Sequence, residues 1–139
     1  MRYLQKLIIY IITILVIVII TGGCLFISSF TDNDNIEFLK SYGWEVKKKP
    51  IEKAEVTIPE EFDEVYQNYN LLQLQAGLNL KNYCGKTGIR YTYEVTNYPI
   101  KTEYTVRANV IVIDNTPVAG DIMTTNINGF MHSLYYSDK

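Results

Sequence analysis

Hydrophobic and polar positions divide the chain into an uncharged N-terminal run and a patterned remainder. No Asp, Glu, Lys or Arg occurs from position 7 to position 30, and aliphatic residues fill most of these positions. A helix of about 21 residues covers the hydrocarbon layer of a membrane. The run therefore predicts a transmembrane helix at residues 7–27, preceded by a basic segment at 1–6 and followed by a linker at 28–35.

The charges on either side of this run predict its orientation. Arg2 and Lys6 precede the run, whereas Asp32 and Asp34 follow it. Positive residues stay on the cytoplasmic side of a membrane segment. We therefore expect a protein of the cell membrane, with a cytoplasmic N-terminus and an extracytoplasmic domain at residues 36–139.

Cys24 leaves a second interpretation of the N-terminus open. The small residues Gly22 and Gly23 precede it, as at the acylated cysteine of a lipoprotein, but Thr21 replaces the usual bulky aliphatic residue. A cleaved signal has a shorter apolar core and a small-residue exit, and the chain has no Ala before Ala54. We therefore favour an uncleaved signal anchor, with lipidation of Cys24 as the alternative; both place the domain outside the cytoplasm.

Two segments of the domain have the pattern of a helix. A short helix is predicted to begin at Asp34, to end at a left-handed Gly43 and to be followed by Trp44 as a plug. A second helix is predicted over Glu60–Ala76, because apolar residues recur at helical spacing after a cluster of acidic residues. Negative charge in a first turn is favoured by the helix dipole.

The second half of the domain alternates between apolar and polar residues, as strands do. Two strands are predicted around 89–95 and 104–112, with a hairpin centred on Pro99-Ile100 that brings Tyr93 opposite Val106. A turn at 114–117 leads into a third strand with alternating apolar positions, which are Val118, Gly120 and Ile122. The segment 128–134 is predicted to be a short apolar turn or helix that closes the core.

Together these elements predict the fold class α+β. We expect one small domain, with an antiparallel sheet of three to five strands packed against one main helix and a short N-terminal helix. About 109 residues follow the apolar run, which is enough for one hydrophobic core and too few for two domains. The strand order stays open, because the segment 44–58 fits either edge of the sheet.

Four stretches of the domain carry a resemblance to a known family. They are Phe38–Val46, Val56–Tyr66, Arg90–Pro99 and Gly129–His132. In this order they resemble the bacterial domain-of-unknown-function family 4830, which comprises uncharacterised extracytoplasmic proteins of Gram-positive bacteria. The resemblance implies an extracytoplasmic domain behind one membrane segment and brings no activity. It also implies a pair of glycines where this chain has Ala119-Gly120-Asp121.

Charge and cysteine content exclude several classes of function. After Lys6 the chain has 11 basic and 15 acidic residues, and this negative balance disfavours nucleic acid as a partner. Cys24 lies in the apolar run, so Cys84 is expected to be a lone thiol, either buried or able to join two chains. With one His and one Cys in the domain, zinc ligands are lacking, and we predict no metal and no cofactor.

We predict no catalytic residue, although one histidine is a candidate. His132 could act as a general base only beside a nucleophile and an orienting acid, for which Asp114 and Asp121 are available. A half-buried His132 bonded to a backbone carbonyl is the favoured interpretation. The helix dipole also explains the acidic cluster better than a calcium site does, because calcium ligands are spaced along a loop. That cluster consists of Glu60, Glu61, Asp63 and Glu64.

Tyrosine is abundant, with 12 residues in the chain. Five of them fall on predicted inward faces and are expected in the core; they are Tyr66, Tyr69, Tyr91, Tyr93 and Tyr104. Tyr98, Tyr135 and Tyr136 lie on a hairpin tip and a tail, where tyrosine suits a partner surface. The basic stretch 47–49 is interpreted as a solvated edge, with contact to anionic lipid as the alternative.

The sequence therefore predicts a membrane-tethered binding or interaction module of the cell envelope, without catalytic activity and with a protein partner in the envelope. One alternative is a small envelope enzyme, or its accessory, that uses His132. Another is a structural or assembly protein, for which a homodimer through the membrane helix or Cys84 is open.

Overall fold

The computed structural model describes residues 32–137. The predicted transmembrane helix at 7–27 and the candidate lipidation site Cys24 lie outside the described residues. Within residues 32–137, no helix is both long enough and apolar enough to cross a membrane.

The first helix, α1, includes residues 32–41. It ends as the sequence predicts, because Gly43 has a φ of 82° and the Trp44 amide donates to the Leu39 carbonyl at 3.1 Å. The predicted start at Asp34 is wrong, because residue 32 is already helical. Residues 32–35 all have helical geometry, so Asp34 is not the N-cap of this helix.

The second helix, α2, spans Glu64–Gln75. Asp63 caps it, since the Tyr66 amide donates to the Asp63 carboxylate at 2.9 Å. The predicted start at Glu60 is therefore wrong: Glu60 and Glu61 precede the helix, and Glu64 is the acidic residue of its first turn. The chain leaves the helix at Gly77, with a φ of 75°, and a 3₁₀ turn follows at Leu80–Tyr83.

Five antiparallel strands form one sheet in which each strand pairs with the next along the chain. They are β1 Glu52–Thr57, β2 Thr87–Glu94, β3 Arg107–Ile113, β4 Thr116–Met123 and β5 Met131–Ser133. The predicted α+β class with three to five antiparallel strands is confirmed. The open question of strand order is answered, because β1 lies at the edge beside β2.

The β2–β3 hairpin differs from the prediction by two residues, since Tyr93 lies opposite Ala108 and not opposite Val106. A two-residue shift leaves every side chain on its predicted face, so alternation alone cannot detect it. The longer connection also places Tyr104 in a loop, where it is 52% exposed and not in the core.

Two further turns differ from the sequence prediction. Asp114 and Asn115 both have positive φ, 50° and 60°, as in the two-residue turns that join twisted strands. The predicted turn at 114–117 is therefore too long, because Thr116 and Pro117 already belong to β4. The segment 128–134 contains the strand β5 and no helix, since three residues are too few for a periodic signal.

The two faces of the sheet carry different helices. On the α1 face, Tyr93, Val110 and Ile122 pack with Leu39 and Trp44 in one buried cluster. On the opposite face, called the α2 face, Ile111 and Ala119 pack in a second cluster against aromatic residues before and within α2, which are Phe62, Tyr66 and Tyr69.

Gly120 permits close packing on β4 even though a pair of glycines is missing there. A Cβ atom at this position would lie 2.8 Å from the Asn109 carbonyl oxygen and 2.7 Å from Leu134 Cδ1. Leu134, which follows β5, therefore reaches the backbone of the central sheet.

Candidate functional site

A row of polar side chains crosses the α2 face of the sheet. Thr92 lies opposite Asn109, Asn109 opposite Asp121, and Asp121 opposite Ser133, so four neighbouring strands contribute one member each. All four residues are buried. Buried polar groups in a small domain need hydrogen-bond partners to be tolerated.

Direct hydrogen bonds join three members of this row to α2. The Thr92 hydroxyl donates to Asn109 Oδ1 at 2.7 Å, and Asn109 Nδ2 donates to Asp121 Oδ1 at 2.9 Å. The Tyr69 hydroxyl, from the middle of α2, donates to Asp121 Oδ2 at 2.8 Å. Each carboxylate oxygen of Asp121 thus accepts one hydrogen bond, and the bond from Tyr69 attaches α2 to the sheet.

Burial sets the protonation behaviour of this network. It raises the pKa of Asp121 above its ordinary value, against the opposing effect of the hydrogen bonds from Asn109 and Tyr69 and of the charge on Arg90. Burial together with the neighbouring Asp121 carboxylate raises the pKa of the Tyr69 hydroxyl well above its ordinary value. Tyr69 therefore stays protonated at neutral pH and remains the donor.

Beside the polar row, an open cleft of about 700 Å³ separates α2 from the sheet. Its volume lies within the range of small-molecule sites. Most of its exposed wall is apolar, and the aliphatic and methionine side chains that line it are Val56, Val65, Leu72, Ile111, Met123 and Met131. Two of these side chains are exposed, Val65 at 72% and Met131 at 47%.

Arg90 is the cationic residue of the cleft. It lies on β2, and its Nη2 atom is 3.2 Å from Glu52 Oε1 on β1. Its Nε atom is buried and has no acceptor among the described residues. An unpaired buried donor is unfavourable, so this atom lowers the stability of the fold around Arg90.

Sequence reasoning did not identify this cleft as a site. Arg90 and Asn109 were not singled out, and Asp121 was considered only as an acid for His132. A signal was present: Asn109 interrupts an otherwise apolar strand, and Asp121 occupies a central position of β4. Polar residues at inward positions of neighbouring strands predict a shared hydrogen-bond network. The predicted register of β2 and β3 was two residues off, so Thr92 and Asn109 were not recognised as partners.

A second group of interest is a stack of aromatic rings around β5. Tyr98 stacks between Trp44 and Phe130, with ring centroids 5.9 and 5.3 Å away. His132 stacks on Phe130 at 5.5 Å and on Tyr136 at 4.7 Å. The loops before β3 and before β5 are joined by these contacts to the end of α1.

Both ring nitrogens of His132 are engaged within this stack. Nδ1 lies 2.8 Å from the Ser133 carbonyl oxygen, which can only accept, so Nδ1 carries the proton. Nε2 then accepts from the Tyr98 hydroxyl at 3.2 Å. The bond to a backbone carbonyl is the one the sequence favoured. Neither Asp114, exposed at the β3–β4 turn, nor Asp121 is hydrogen-bonded to His132.

The three tyrosines predicted as a partner surface occupy different environments. Tyr98 and Tyr136 are half-buried, with ring centroids 6.2 Å apart, and burial raises the pKa of the Tyr98 hydroxyl. Tyr135 is 62% exposed. The structure therefore brings two of these tyrosines into one stack and leaves the third directed to solvent beside it.

The remaining candidates have simple surroundings. Cys84 is a free, half-buried thiol. Lys47, in the basic stretch, forms an ion pair of 2.8 Å with Glu94 on β2. Among residues 32–137, no group of three or more His, Cys, Asp or Glu side chains is arranged to hold a metal ion.

Comparison with known proteins gives a family and nothing more specific. No curated protein and no solved structure matches the chain. One family, described as Domain of unknown function (DUF4830), matches residues 38–122, which is more than half of the chain. The matched range includes α2, β1 to β3 and ten of the twelve residues that line the cleft. The chain therefore belongs to the DUF4830 family.

Proposed function

We propose that this protein is a membrane-tethered binding module of the bacterial cell envelope, and that it binds its ligand in the cleft between α2 and the sheet. The observation that carries the proposal is the cleft itself, which combines an apolar wall with one cationic side chain, Arg90. Apolar pockets with a few convergent polar groups are the usual form of small-molecule sites.

The tether and the location rest on the sequence. The uncharged run before residue 31 has the length of a membrane span, and the charges around it favour an extracytoplasmic domain. Protease treatment of intact cells without their wall tests this point. A domain outside the cytoplasm is degraded in such cells, whereas protection equal to that of a cytoplasmic control protein would contradict the proposal.

The hydrogen bonding of the candidate acids and bases supports binding over catalysis. The His132 nitrogens are engaged by Tyr98 and by a backbone carbonyl, and the Asp121 oxygens by Asn109 and Tyr69. A general base needs a free lone pair directed at a substrate proton. In this arrangement these groups stabilise the fold around the cleft.

Two matched tryptophan substitutions on α2 test the site. Val65 is 72% exposed and lines the cleft, whereas Leu71 is 57% exposed on the same helix and does not line it. Full-length wild type, Val65→Trp and Leu71→Trp are purified from membranes, and small molecules released on denaturation are compared by mass spectrometry. We expect a compound that accompanies wild type and Leu71→Trp and is lost from Val65→Trp. Identical profiles for all three proteins would contradict the proposal.

A protein partner at the aromatic stack is a second candidate, favoured by the exposed Tyr135 ring beside Tyr136. Exposed aromatic residues are enriched at interfaces. A photoreactive residue at Tyr135 in living cells should capture one recurrent envelope protein, and the same residue at the loop position Tyr104 should not. Equal capture at both positions would indicate non-specific proximity and exclude this candidate.

A further inference from the structure

We infer that the outer edge of β1 is a dimerisation surface, where β1 of a second copy of this chain adds in antiparallel orientation and joins two sheets into one. The inference is independent of what the cleft binds and uses only the membrane tether of the proposed function. Three features carry it: the direction of the backbone groups of β1, the order of its charges and the position where the described domain begins.

The outer edge of β1 presents backbone groups without partners. The Glu94 carbonyl of β2 accepts at 3.0 Å from the amide of Lys47, which precedes β1 on the same side of β2. Backbone direction alternates along a strand, so the even-numbered residues of β2 face β1 and bond to the even-numbered residues opposite them. The amides and carbonyls of Lys53 and Glu55 therefore point away from the sheet, and no backbone group in residues 32–137 pairs with them.

The charges of β1 match those of a second copy in one register. Lys53 and Glu55 are exposed on the α1 face, where Lys53 Nζ lies 5.0 Å from the centre of the Tyr91 ring. When Ala54 lies on the two-fold axis, Lys53 of each copy is opposite Glu55 of the other, and their outward backbone groups form four hydrogen bonds. Glu55 has no ion-pair partner within residues 32–137, so the second copy supplies one.

The neighbouring registers are unfavourable. A shift of the pairing by one residue sets the outward backbone groups of one copy against groups that already bond to β2 in the other. A shift by two residues places Lys53 opposite Lys53 or Glu55 opposite Glu55, and directly opposed like charges are destabilising. Charges commonly protect an exposed edge strand from pairing. In β1 they oppose the wrong registers and stabilise the one centred on Ala54.

The start of the described domain lies beside this axis. Lys53 Nζ is 3.0 Å from Asp32 Oδ1, which places Asp32 on the α1 face next to a residue adjacent to Ala54. A two-fold axis that pairs antiparallel strands is perpendicular to the sheet, so both copies direct the α1 face to the same side. The segments that precede Asp32 in the two copies therefore begin close together and on one side, as anchoring in one membrane requires.

The pairing gives a small interface. Residues 52–56 of each copy pair, which is less than the 20–30 residues a side of an interface that is stable in solution. Anchoring in one membrane raises the local concentration of the partner and favours association through a small surface. The dimer is therefore expected in the membrane and is measured there.

Disulfide cross-linking in membranes tests the pairing. The parent is full-length Cys84→Ser, which retains Cys24 and so either form of membrane attachment. Ala54→Cys and Thr57→Cys are added to it singly, and oxidised membranes are compared on non-reducing gels. Across the axis, the two Ala54 Cα atoms are about 4.5 Å apart, which is within disulfide range. The two Thr57 Cα atoms are about 20 Å apart, since six residues separate them along the strand.

We expect Ala54→Cys to form about ten times more dimer than Thr57→Cys, whose dimer should equal the background of the parent. Equal dimer at both positions, no dimer above the background at Ala54→Cys, or a cross-link from it only to a different protein would overturn the inference. The protease treatment of intact cells tests the tether by itself, so failure of the tether is distinguishable from failure of the dimer.

Charge reversals test the register in the Ala54→Cys chain. Lys53→Glu and Glu55→Lys each set like charges opposite one another on both sides of the axis, and each should reduce the dimer about tenfold. The two reversals together restore opposite charges and should restore the dimer. The ion pair of Lys53 with Asp32 is absent from the double variant too, so recovery reports the contact between copies. A double variant with as little dimer as the single ones would overturn the inference.

Discussion

The two faces of the sheet differ in chemistry although the same strands build both. On the α1 face, Tyr93, Val110 and Ile122 are buried beneath Leu39 and Trp44. The contact is mainly apolar, and one buried hydrogen bond, from Asn35 Nδ2 to the Tyr93 hydroxyl at 3.2 Å, joins α1 to the sheet. On the α2 face, hydrogen bonds of the polar row attach the helix, and an open cleft lies beside it. Both helices cover a buried apolar cluster, but α2 also has an open cleft beside it.

This difference indicates a division of labour between the faces. Apolar burial supplies most of the free energy of folding, and a small domain has little apolar surface to spare. The α1 face supplies the larger share of that burial, with ten buried residues in its cluster against six on the α2 face. The α2 face can then retain polar residues and an unfilled cleft, because the stability of the domain depends less on it. The following predictions test this division, from the largest expected effect to the smallest.

Trp44→Ala should give the largest loss of stability, about 3–5 kcal/mol, because it removes a large, fully buried side chain from the α1 face. Urea unfolding of the full-length protein, followed by circular dichroism, measures it. The matched control is Tyr135→Ala, an exposed aromatic residue, for which a change within about 0.5 kcal/mol is expected. Equal costs for the two variants would mean that the α1 face is not the principal source of stability.

Tyr69→Phe should cost less, about 1.5–3 kcal/mol, since it removes one hydrogen bond to the buried Asp121 carboxylate. It should also raise the pKa of Asp121 further, because this hydrogen bond lowers it in the wild type. Urea unfolding and an NMR titration of the Asp121 carboxyl carbon measure the two effects. Tyr66→Phe is the control from the same helix, because the Tyr66 hydroxyl has no hydrogen bond among the described residues. If both variants lost the same stability, the network would not hold α2.

Asp121→Asn should change how stability depends on pH. Burial raises the folded-state pKa of Asp121, so the folded chain binds this proton more tightly than the unfolded chain does. The resulting stability is fully present below the unfolded value of 3.8 and is lost as pH rises through the folded value. The wild type should therefore lose stability relative to Asp121→Asn as pH increases from about 4.

Urea midpoints measured at several pH values test this dependence. Leu71→Trp, an exposed substitution that removes no titratable group, is the control and should run parallel to the wild type. A wild-type curve parallel to that of Asp121→Asn would show that the carboxyl titrates normally.

Val65→Trp should have the smallest effect on stability, within about 0.5 kcal/mol, because this side chain is largely exposed at the mouth of the cleft. It should nevertheless abolish ligand binding, which separates the two roles of the α2 face. Urea unfolding measures the stability, and mass spectrometry of the compounds released on denaturation measures the binding. A variant that binds as well as the wild type, while Leu71→Trp does not, would place the site elsewhere on α2.

The sequence predicted the elements of the α1 face better than those of the α2 face. Local patterns predicted that α1 ends at Gly43, which adopts a positive φ, and that Trp44 after it is buried. The alternation of apolar and polar residues predicted the apolar faces of β2 and β3. The start of α2 was placed too early, because an acidic cluster spread over several residues obscures which one is the cap. The pairing register of β2 with β3 was two residues off.

The candidate site was harder to predict for a physical reason. A polar row exists only when residues of four strands align, and alignment depends on register, which an apolar pattern repeated every two residues leaves ambiguous. The cleft depends on the distance between α2 and the sheet, and the hydrogen bond between Tyr69 and Asp121 helps to fix that distance. Neither the strand register nor the distance between α2 and the sheet is determined by residues that are neighbours in the sequence.

Gln73 gives the end of α2 a role that a helix seldom has. Its side-chain carbonyl accepts from the Gly120 amide at 2.8 Å, at the point on β4 that β5 does not reach. The Gln73 side chain thus accepts the hydrogen bond that a neighbouring strand would accept elsewhere in the sheet. As a result, deuterium uptake at the Gly120 amide should follow the detachment of α2 from the sheet, whereas the amides of β3 report the opening of the sheet itself. A single position in the centre of the domain would then report when the cleft widens.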